Sequence, residues 1–180
     1  MKELILPIEE IESLCADIAT NISGYSPDNV IVAYEQKGNP ANKIDENYIY
    51  VYAMPVDDVI SKYVNRYQEQ IQDGEAVSYQ RAIQNTDTFS IHFVIYGPDA
   101  GETARKMQLR WYGTDIKTTL ANKSLYTIPG EGTGITRTPE YINGQWWNRY
   151  DLNYHIYSTT QVVYNIDAFE KLNLTMKEDV

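Results

Sequence analysis

The chain has 180 residues, of which 43% are hydrophobic and 22% are charged, and these values predict one soluble globular domain over residues 1–180. The formal net charge of −10 argues against a nucleic-acid-binding protein, because proteins of that class bind phosphates with Lys and Arg. The single cysteine, Cys15, excludes an intrachain disulfide. The start lacks the apolar centre of a signal peptide, and no apolar run approaches the roughly 20 residues of a membrane span, so we expect neither export nor membrane contact.

An amphipathic helix is predicted over residues 7–24. Its apolar residues recur at spacings of three and four, namely Ile8, Ile11, Leu14, Cys15, Ile18 and Ile22, and acidic residues fill the opposite side. Pro7 suits the first turn and Gly24 suits the end. Cys15 lies on the apolar side, so we interpret it as a small core residue.

Two strands are predicted next, over residues 30–34 and 48–54, with a loop at residues 37–42 between them. The second strand places tyrosines on one face and Ile49, Val51 and Ala53 on the other. Because the chain holds 16 tyrosines, we expect half-wet sheet faces or extensive protein contacts. Stacked tyrosines can form a ligand platform, but cross-strand packing is the favoured interpretation.

A long projecting hairpin is predicted over residues 58–83, with Asp73-Gly74 as its turn signal. The spacing of apolar residues in 58–70 partly fits a helix as well, so both interpretations stay open there. Polar residues leave too narrow an apolar face for the core. We expect this arm to serve subunit contacts, with a plain exposed hairpin as the alternative.

The central unit, residues 88–111, combines a strand, a tight corner and a helix. Strict alternation over residues 88–96 predicts a strand that ends at Gly97-Pro98. Asp99 and Glu102 have the spacing of a capping box at the start of the helix. Ala100, Ala104, Met107 and Trp111 then form a stripe at helical spacing that can pack on the sheet.

The C-terminal third adds several short elements. A helix is predicted over residues 114–122, and residues 129–134 form a glycine-dense loop that lacks the end of a phosphate-binding motif. Asn143-Gly144 predicts a type I′ hairpin. A long strand follows over residues 150–157, with Leu152, Tyr154 and Ile156 pointing inward, then a further strand over residues 162–164 and a polar, frayed tail at 176–180.

These elements define an α+β fold class. We predict a mostly antiparallel sheet with an N-terminal amphipathic helix and a central helix packed on it, plus the long projecting hairpin.

Candidate catalytic residues are few. His92 and His155 are the only histidines, and neither has a nearby metal-ligand spacing. The adjacent acids Glu9-Glu10 and Asp57-Asp58 point apart on any regular element, so they do not predict an acid–base pair. We therefore expect no catalytic residue, no metal and no cofactor, and a small hydrolase using His92 or His155 is the least favoured alternative.

The aromatic run near residue 146 suggests a different class, a carbohydrate- or receptor-binding module. Trp146, Trp147 and Tyr150 can stack on sugar rings, although adjacent strand residues point to opposite faces, so at most one tryptophan joins a given platform. Arg149 and Asp151 are interpreted as a local charge pair worth under about 1 kcal/mol if exposed.

A resemblance appears at Tyr96-Gly97-Pro98-Asp99-Ala100-Gly101, with Ala104 following in the helix. Further along the chain stand, in order, Thr138-Pro139, Asn143-Gly144, Trp147, Arg149 and Tyr150-Asp151-Leu152. Upstream, Gly38-Asn39-Pro40 precedes the tyrosine-rich strand. In its order and spacing this pattern, over residues 30–169, resembles the phage neck terminator (tail terminator-like) family of tailed bacteriophages.

The resemblance implies a structural virion protein without catalytic residues. Such subunits form a ring, commonly six-fold, between the head-side connector and the tail tube, with the sheath as a further neighbour where one is present, after assembly in the host cytoplasm. Head-closure and tail-completion roles stay open beside the terminator role. The net acidity suggests a bore through which DNA passes without sticking. We expect the interfaces at the 58–83 hairpin and the loop 128–143.

Overall fold

The fold combines an eight-stranded sheet, a two-stranded sheet and three helices, described by a computed structural model over residues 2–33, 43–73 and 76–166. The helices are α1 (Ile8–Ser23), α2 (Ala100–Arg110) and α3 (Thr114–Ala121), and 3-10 turns span Pro27–Asn29 and Ile60–Lys62. The strands are β1 (Lys2–Leu4), β2 (Val30–Val32), β3 (Tyr48–Pro55), β4 (Val64–Asp73), β5 (Ala76–Tyr96), β6 (Leu125–Tyr126), β7 (Thr133–Arg137), β8 (Glu140–Ile142), β9 (Gln145–Trp147) and β10 (Arg149–Ile166). The predicted loop 37–42 and the tail 176–180 lie outside the described residues.

Strands β5 and β10 form the centre of the sheet, whose order is β1-β10-β5-β3-β2. They pair antiparallel from Arg149 opposite Tyr96 to Ile166 opposite Tyr79. β3 pairs with the end of β5 and β4 pairs with its beginning, while β1, β6 and β7 pair with β10. β2 joins β3 in parallel. The predicted α+β class with a mostly antiparallel sheet is confirmed.

The hydrophobic core lies between the helices and one face of β3, β5 and β10. Its members include the predicted stripe of α2 and the alternate residues of the central strands: Ile49, Val51, Ile91, Phe93, Ile95, Ala100, Ala104, Met107, Trp111, Leu152, Tyr154 and Ile156. Helix α1 begins after Pro7 and ends at Gly24, which has φ +75°. Cys15 is fully buried in this core as predicted, and burial, followed by the nearby Glu12 carboxylate, raises the pKa of its thiol.

An arm extends the sheet beyond the core. We define the arm as β4, residues 76–85 of β5 and residues 160–166 of β10. Among its described side chains only Ala82 is buried. At about 3.3 Å per residue, the ten residues of β4 make the arm roughly 33 Å long. The predicted projecting hairpin is thus present, as part of a wider sheet that β10 and β1 complete.

The strand boundaries differ from the prediction in one systematic way. The predicted strands 77–83 and 88–96 are one strand of 21 residues, and those predicted at 150–157 and 162–164 are one of 18. The polar residues between these predicted strands include no Gly or Pro, the residue types that would interrupt a strand. Cross-strand pairing therefore continues through them. The hairpin itself begins at Val64, since Ile60–Lys62 forms a 3-10 turn.

Two further local predictions were wrong. The Asp99 side chain does not cap α2: its Oδ2 accepts a hydrogen bond of 2.9 Å from Asn47 Nδ2, while Glu102 pairs with Lys106 at 2.7 Å. Asn47, which lies just before β3 and is distant from Asp99 in the sequence, therefore replaces the local capping box as the partner of Asp99. The glycine-dense loop ends at Gly132, since Thr133 and Gly134 belong to β7, and the segment 128–143 contains β7 and β8.

Candidate assembly surfaces

The corner at residues 96–101 joins β5 to α2 through two close approaches of the backbone. Gly97 has φ +115°, and a Cβ there would lie 2.6 Å from the Glu46 carbonyl oxygen and collide with Asn47. A Cβ at Gly101 would lie 3.0 Å from the Tyr150 ring. Glycine is therefore required at Gly97 by conformation and by space. Residues 96–101, on which the family resemblance rests, therefore pack β3, α2 and β10 against one another at this corner.

A charge cluster at Arg149 lies beside this corner. The Arg149 Nε donates to Asp151 Oδ1 at 2.8 Å, which confirms the predicted pair, and its Nη1 also donates to Glu140 Oε2 at 3.2 Å. The Tyr96 hydroxyl donates to the same Glu140 oxygen at 2.6 Å. These donors, Tyr96 first, lower the pKa of Glu140, while burial and then the bond to Glu140 raise that of Tyr96. The cluster fastens the start of β8 to the main sheet.

The hairpin of β8 and β9 separates the aromatic residues of the predicted sugar-binding patch. Asn143 and Gly144 both have positive φ, as a type I′ turn requires. Trp146 is 69% exposed and contacts Tyr141 with ring centroids 5.2 Å apart. Trp147 turns the other way and lies edge-on to Tyr96 at 6.1 Å. The two tryptophans therefore do not share a platform, as the alternation predicted.

The histidines lie on the sheet face that the helices leave uncovered. His92 stacks on Tyr52 with ring centroids 4.7 Å apart, and its Nε2 shares a hydrogen bond of 3.1 Å with Ser90 Oγ. His92 lies opposite Asn153 on β10, and His155 is two residues after Asn153 on the same face of that strand. The two histidines are therefore neighbours on one face of the sheet. Burial lowers the pKa of His92, and His155 adds to this effect, whereas Asp151 opposes it.

The contact between Ser90 and His92 was not predicted from the sequence, where its only signal is their spacing of two residues on one strand. A serine, a histidine and an acid in one place are the parts of a nucleophilic triad. Here Asp151 accepts its hydrogen bond from Arg149, and no carboxylate of the described residues is hydrogen bonded to His92. His92, Arg149 and Asp151 therefore belong to a packed polar cluster that lines a cavity of about 90 Å³.

The other predicted acids have separate surroundings. Asp57 pairs with Lys62 at 2.9 Å, and Asp58 accepts a hydrogen bond of 2.7 Å from the backbone of Ser61. Glu9 and Glu10 are exposed on the first turn of α1. Within residues 2–33, 43–73 and 76–166 there is no group of three or more His, Cys, Asp and Glu side chains placed to hold a metal ion. No helix in those ranges is long and apolar enough to cross a membrane.

The arm exposes aromatic and basic side chains. Tyr63, just before β4, is 69% exposed, and Tyr67, Tyr79 and Tyr164 along the arm are also exposed. Arg66 and Arg81 are exposed on its two neighbouring strands, and neither forms an ion pair within the described residues. An exposed sheet with large side chains and no core beneath it is a surface suited to another protein.

An α+β body with an arm whose described side chains, Ala82 apart, are exposed or half-buried is suited to contacts with other proteins. A family model described as phage neck terminator protein matches residues 9–179. The chain therefore belongs to the phage neck terminator family, which confirms the resemblance and extends it to include α1. It is a structural component of the phage virion neck that interacts with other head and tail proteins. A comparison with curated proteins finds no match.

Proposed function

We propose that this protein forms a ring of six identical subunits between the head-side connector and the tail tube, through which DNA passes. Family membership over residues 9–179 supports the position in the neck. The observation that carries the ring is the arm, because two central strands of the core continue into a sheet that lacks a core of its own. The chain acts in this role as one unit over residues 1–180, assembled in the host cytoplasm.

The first proposed interface is the arm itself. A sheet without helical cover gains stability when a face is buried against another element. Val64, Tyr67 and Tyr79 are exposed there, and burying such apolar surface contributes about 25 cal/mol per Å². A stable contact needs roughly 800 Å² from each partner, an area that an arm of about 33 Å can supply.

The second proposed interface is the segment 128–143 with the adjoining strand β9. Although predicted as a loop, it presents strands β7 and β8, and it carries the exposed side chains of Ile128, Tyr141 and Trp146. The Arg149 cluster holds β8 to the body, so this surface is preformed. We assign it to the connector or the tail tube, since it lies apart from the arm.

We further propose an acidic bore and no catalytic activity. The net charge of −10 supports the bore, because carboxylates repel DNA phosphates within a Debye length of about 8–10 Å. A ring structure with a bore lined by Lys and Arg would contradict it. The engagement of Asp151 by Arg149 supports a structural role for the Ser90–His92 pair, without a cofactor.

Light scattering on the purified protein, followed by negative-stain imaging, tests the ring. We expect particles of about six subunits, or rings that form on addition of tail tubes. Deleting residues 70–75 should weaken assembly and leave the monomer folded, because Glu69 pairs with Gln80 and residues 76–79 can then close the shortened turn. A monomer that binds neither tail tubes nor connectors contradicts the proposal, and unchanged assembly of the deletion variant contradicts the role of the arm.

A carbohydrate- or receptor-binding role is the second candidate, and the exposed Trp146–Tyr141 pair is the observation that favours it. Glycan binding that Trp146→Ala abolishes and Trp147→Ala preserves would support this role. The matched pair separates the two residues because only Trp146 is exposed on the outer side of the hairpin.

A further inference from the structure

The arm carries two like charges side by side on one face. In the register of β4 and β5, Gln68 lies opposite Arg81 and Arg66 lies opposite Ile83. Arg66 and Arg81 are therefore diagonal neighbours on the same face, at the roughly 7–8 Å spacing of such pairs. Tyr164 of β10 lies opposite Arg81 on that face as well. We call these residues the arginine face of the arm.

Within residues 4–33, 43–68 and 79–166, whose side chains are described, the arginine face has no counter-charge in contact with it. Neither arginine forms an ion pair among the described residues, although acids outnumber bases by 25 to 15 in the sequence. Like charges directly opposite each other destabilise a sheet, and diagonal neighbours with long side chains are still within reach of each other. Two cations placed together without an ion-pair partner among the described residues form a surface that is complementary to an acidic one.

The arginine face is on the same side of the sheet as the helices. Arg81 and the buried residue Ile91 are ten positions apart on one strand, an even number, so their side chains point to the same side. In the body this side is covered by α1 and α2, whereas in the arm it is bare. A helix from another copy would continue the same two-layer arrangement along the arm.

Helix α1 offers an acidic outer face of matching dimensions. Glu10 and Asp17 are exposed two turns apart, with Ser13 between them. Lys123 lines the same surface depression, but neither acid forms an ion pair within the described residues. At 1.5 Å per residue they are separated by about 10 Å along the helix, which long arginine side chains spaced 7–8 Å apart can span.

The same chain cannot make this contact. Glu12 of α1 accepts a hydrogen bond from the Ala53 backbone, and Ala53 lies opposite Ile91, so α1 is fixed at that level of the sheet. Arg81 is about 33 Å away from Ile91 along β5. The acidic face of α1 and the arginine face can therefore meet only between copies.

We propose that the arginine face of each arm binds the acidic outer face of α1 on a neighbouring copy. Each α1 is then held between its own sheet and the neighbour's arm. The two surfaces differ, so the contact is heterologous, and repeated contacts of this kind give a ring when the rotation between neighbours closes. The inference rests on the proposed ring and names the surfaces that join its subunits.

A charge exchange in the full-length protein tests the contact. We expect Arg66→Glu with Arg81→Glu, or Glu10→Arg with Asp17→Arg, to lower the association constant by about tenfold or more, because like charges then face each other. Combining the four changes should restore assembly. The control Arg105→Glu with Lys117→Glu alters the net charge by the same amount as the first pair on exposed positions of α2 and α3 and should leave assembly unchanged. Circular dichroism verifies that each variant is folded.

Cross-linking gives a second readout that is independent of charge. Cysteines at Gln68 and Ser13, both exposed, should form a disulfide between copies, whereas the pair at Gln68 and Gln108 should not, since Gln108 lies on α2. Rings that form normally in both reversal variants would overturn this inference and leave the ring proposal intact. Loss of assembly by the arginine variant without rescue by the α1 variant would overturn it too, and would assign the arginine face to DNA or to another acidic protein. Failure of the wild-type protein to assemble, even on tail tubes, would reject both proposals.

Discussion

The body and the arm are built from the same two strands, yet they are stabilised differently. In the body, alternate residues of β5 and β10 such as Phe93 and Leu152 are buried under the helices. In the arm, pairing continues in register while Ala82 is the only buried side chain among those described. Backbone pairing alone thus extends a sheet well past its core. The difference assigns most of the buried apolar surface to the body, and it is consistent with the contact role that we propose for the arm.

The largest effect should come from removing a body residue of β5. Phe93 is fully buried and contacts Trp111 and Tyr154, with centroid distances of 5.2 and 6.0 Å. We expect Phe93→Ala to lower the free energy of unfolding by about 3–5 kcal/mol. The matched arm variant Tyr79→Ala should lower it by less than about 1 kcal/mol. Urea denaturation measures both, and equal losses would show that the arm shares the core's stability.

The backbone of the body should be similarly intolerant at its corner. We expect Gly97→Ala to cost at least about 2 kcal/mol, because it combines a positive φ with a collision against Glu46 and Asn47. Gly24 also has positive φ but open space around it, so Gly24→Ala should cost about 1 kcal/mol. Thermal unfolding of the two variants tests the difference. A similar loss for both would mean that conformation alone matters at Gly97.

Arginines of the body and the arm should respond in opposite ways. Arg149→Ala leaves Glu140 and Asp151 without their shared donor, and we expect a loss of about 1–3 kcal/mol in the free energy of unfolding. Arg81→Ala should change stability by no more than about 0.5 kcal/mol. Assembly should instead weaken for Arg81→Ala, as light scattering can show. A stability loss at Arg81 comparable to that at Arg149 would contradict the division between the two regions.

The smallest effect is a pH dependence confined to the body. Burial lowers the pKa of His92 in the folded state, so the unfolded state binds a proton more readily. Stability should therefore fall as the pH drops below the ordinary histidine value of about 6.5, until the folded-state pKa is reached. His92→Phe keeps the ring that stacks on Tyr52 and should flatten this slope in unfolding measurements between pH 5 and pH 7. An unchanged slope would mean that another group is responsible.

Much of the body could be predicted from local patterns. The alternation over residues 88–96 identified Ile91, Phe93 and Ile95 as core residues, because a strand with one buried face must alternate. Helical spacing identified the stripe from Ala100 to Trp111 for the equivalent reason. In both cases the burial of a residue depends on its immediate neighbours in the chain.

The arm and the polar clusters were harder to predict because they depend on distant residues. The polar run 84–87 looked like an interruption, yet β10 pairs with it throughout. Asp99 looked like a helix cap, yet it bonds to Asn47. Glu140 lies nine positions before Arg149 and reaches it only because β8 folds back. Single-sequence patterns do not report such partners.

The uninterrupted pairing of β5 with β10 also bears on how force would pass through a subunit of the proposed ring. Over 18 residues of β10 the ladder bonds lie across the strands, so a pull along the arm loads them together in shear. The described part of this ladder has no hinge at which the arm can swing separately from the body. In the proposed ring, a force applied to one arm would therefore reach the hydrophobic core of the same subunit through covalently continuous strands.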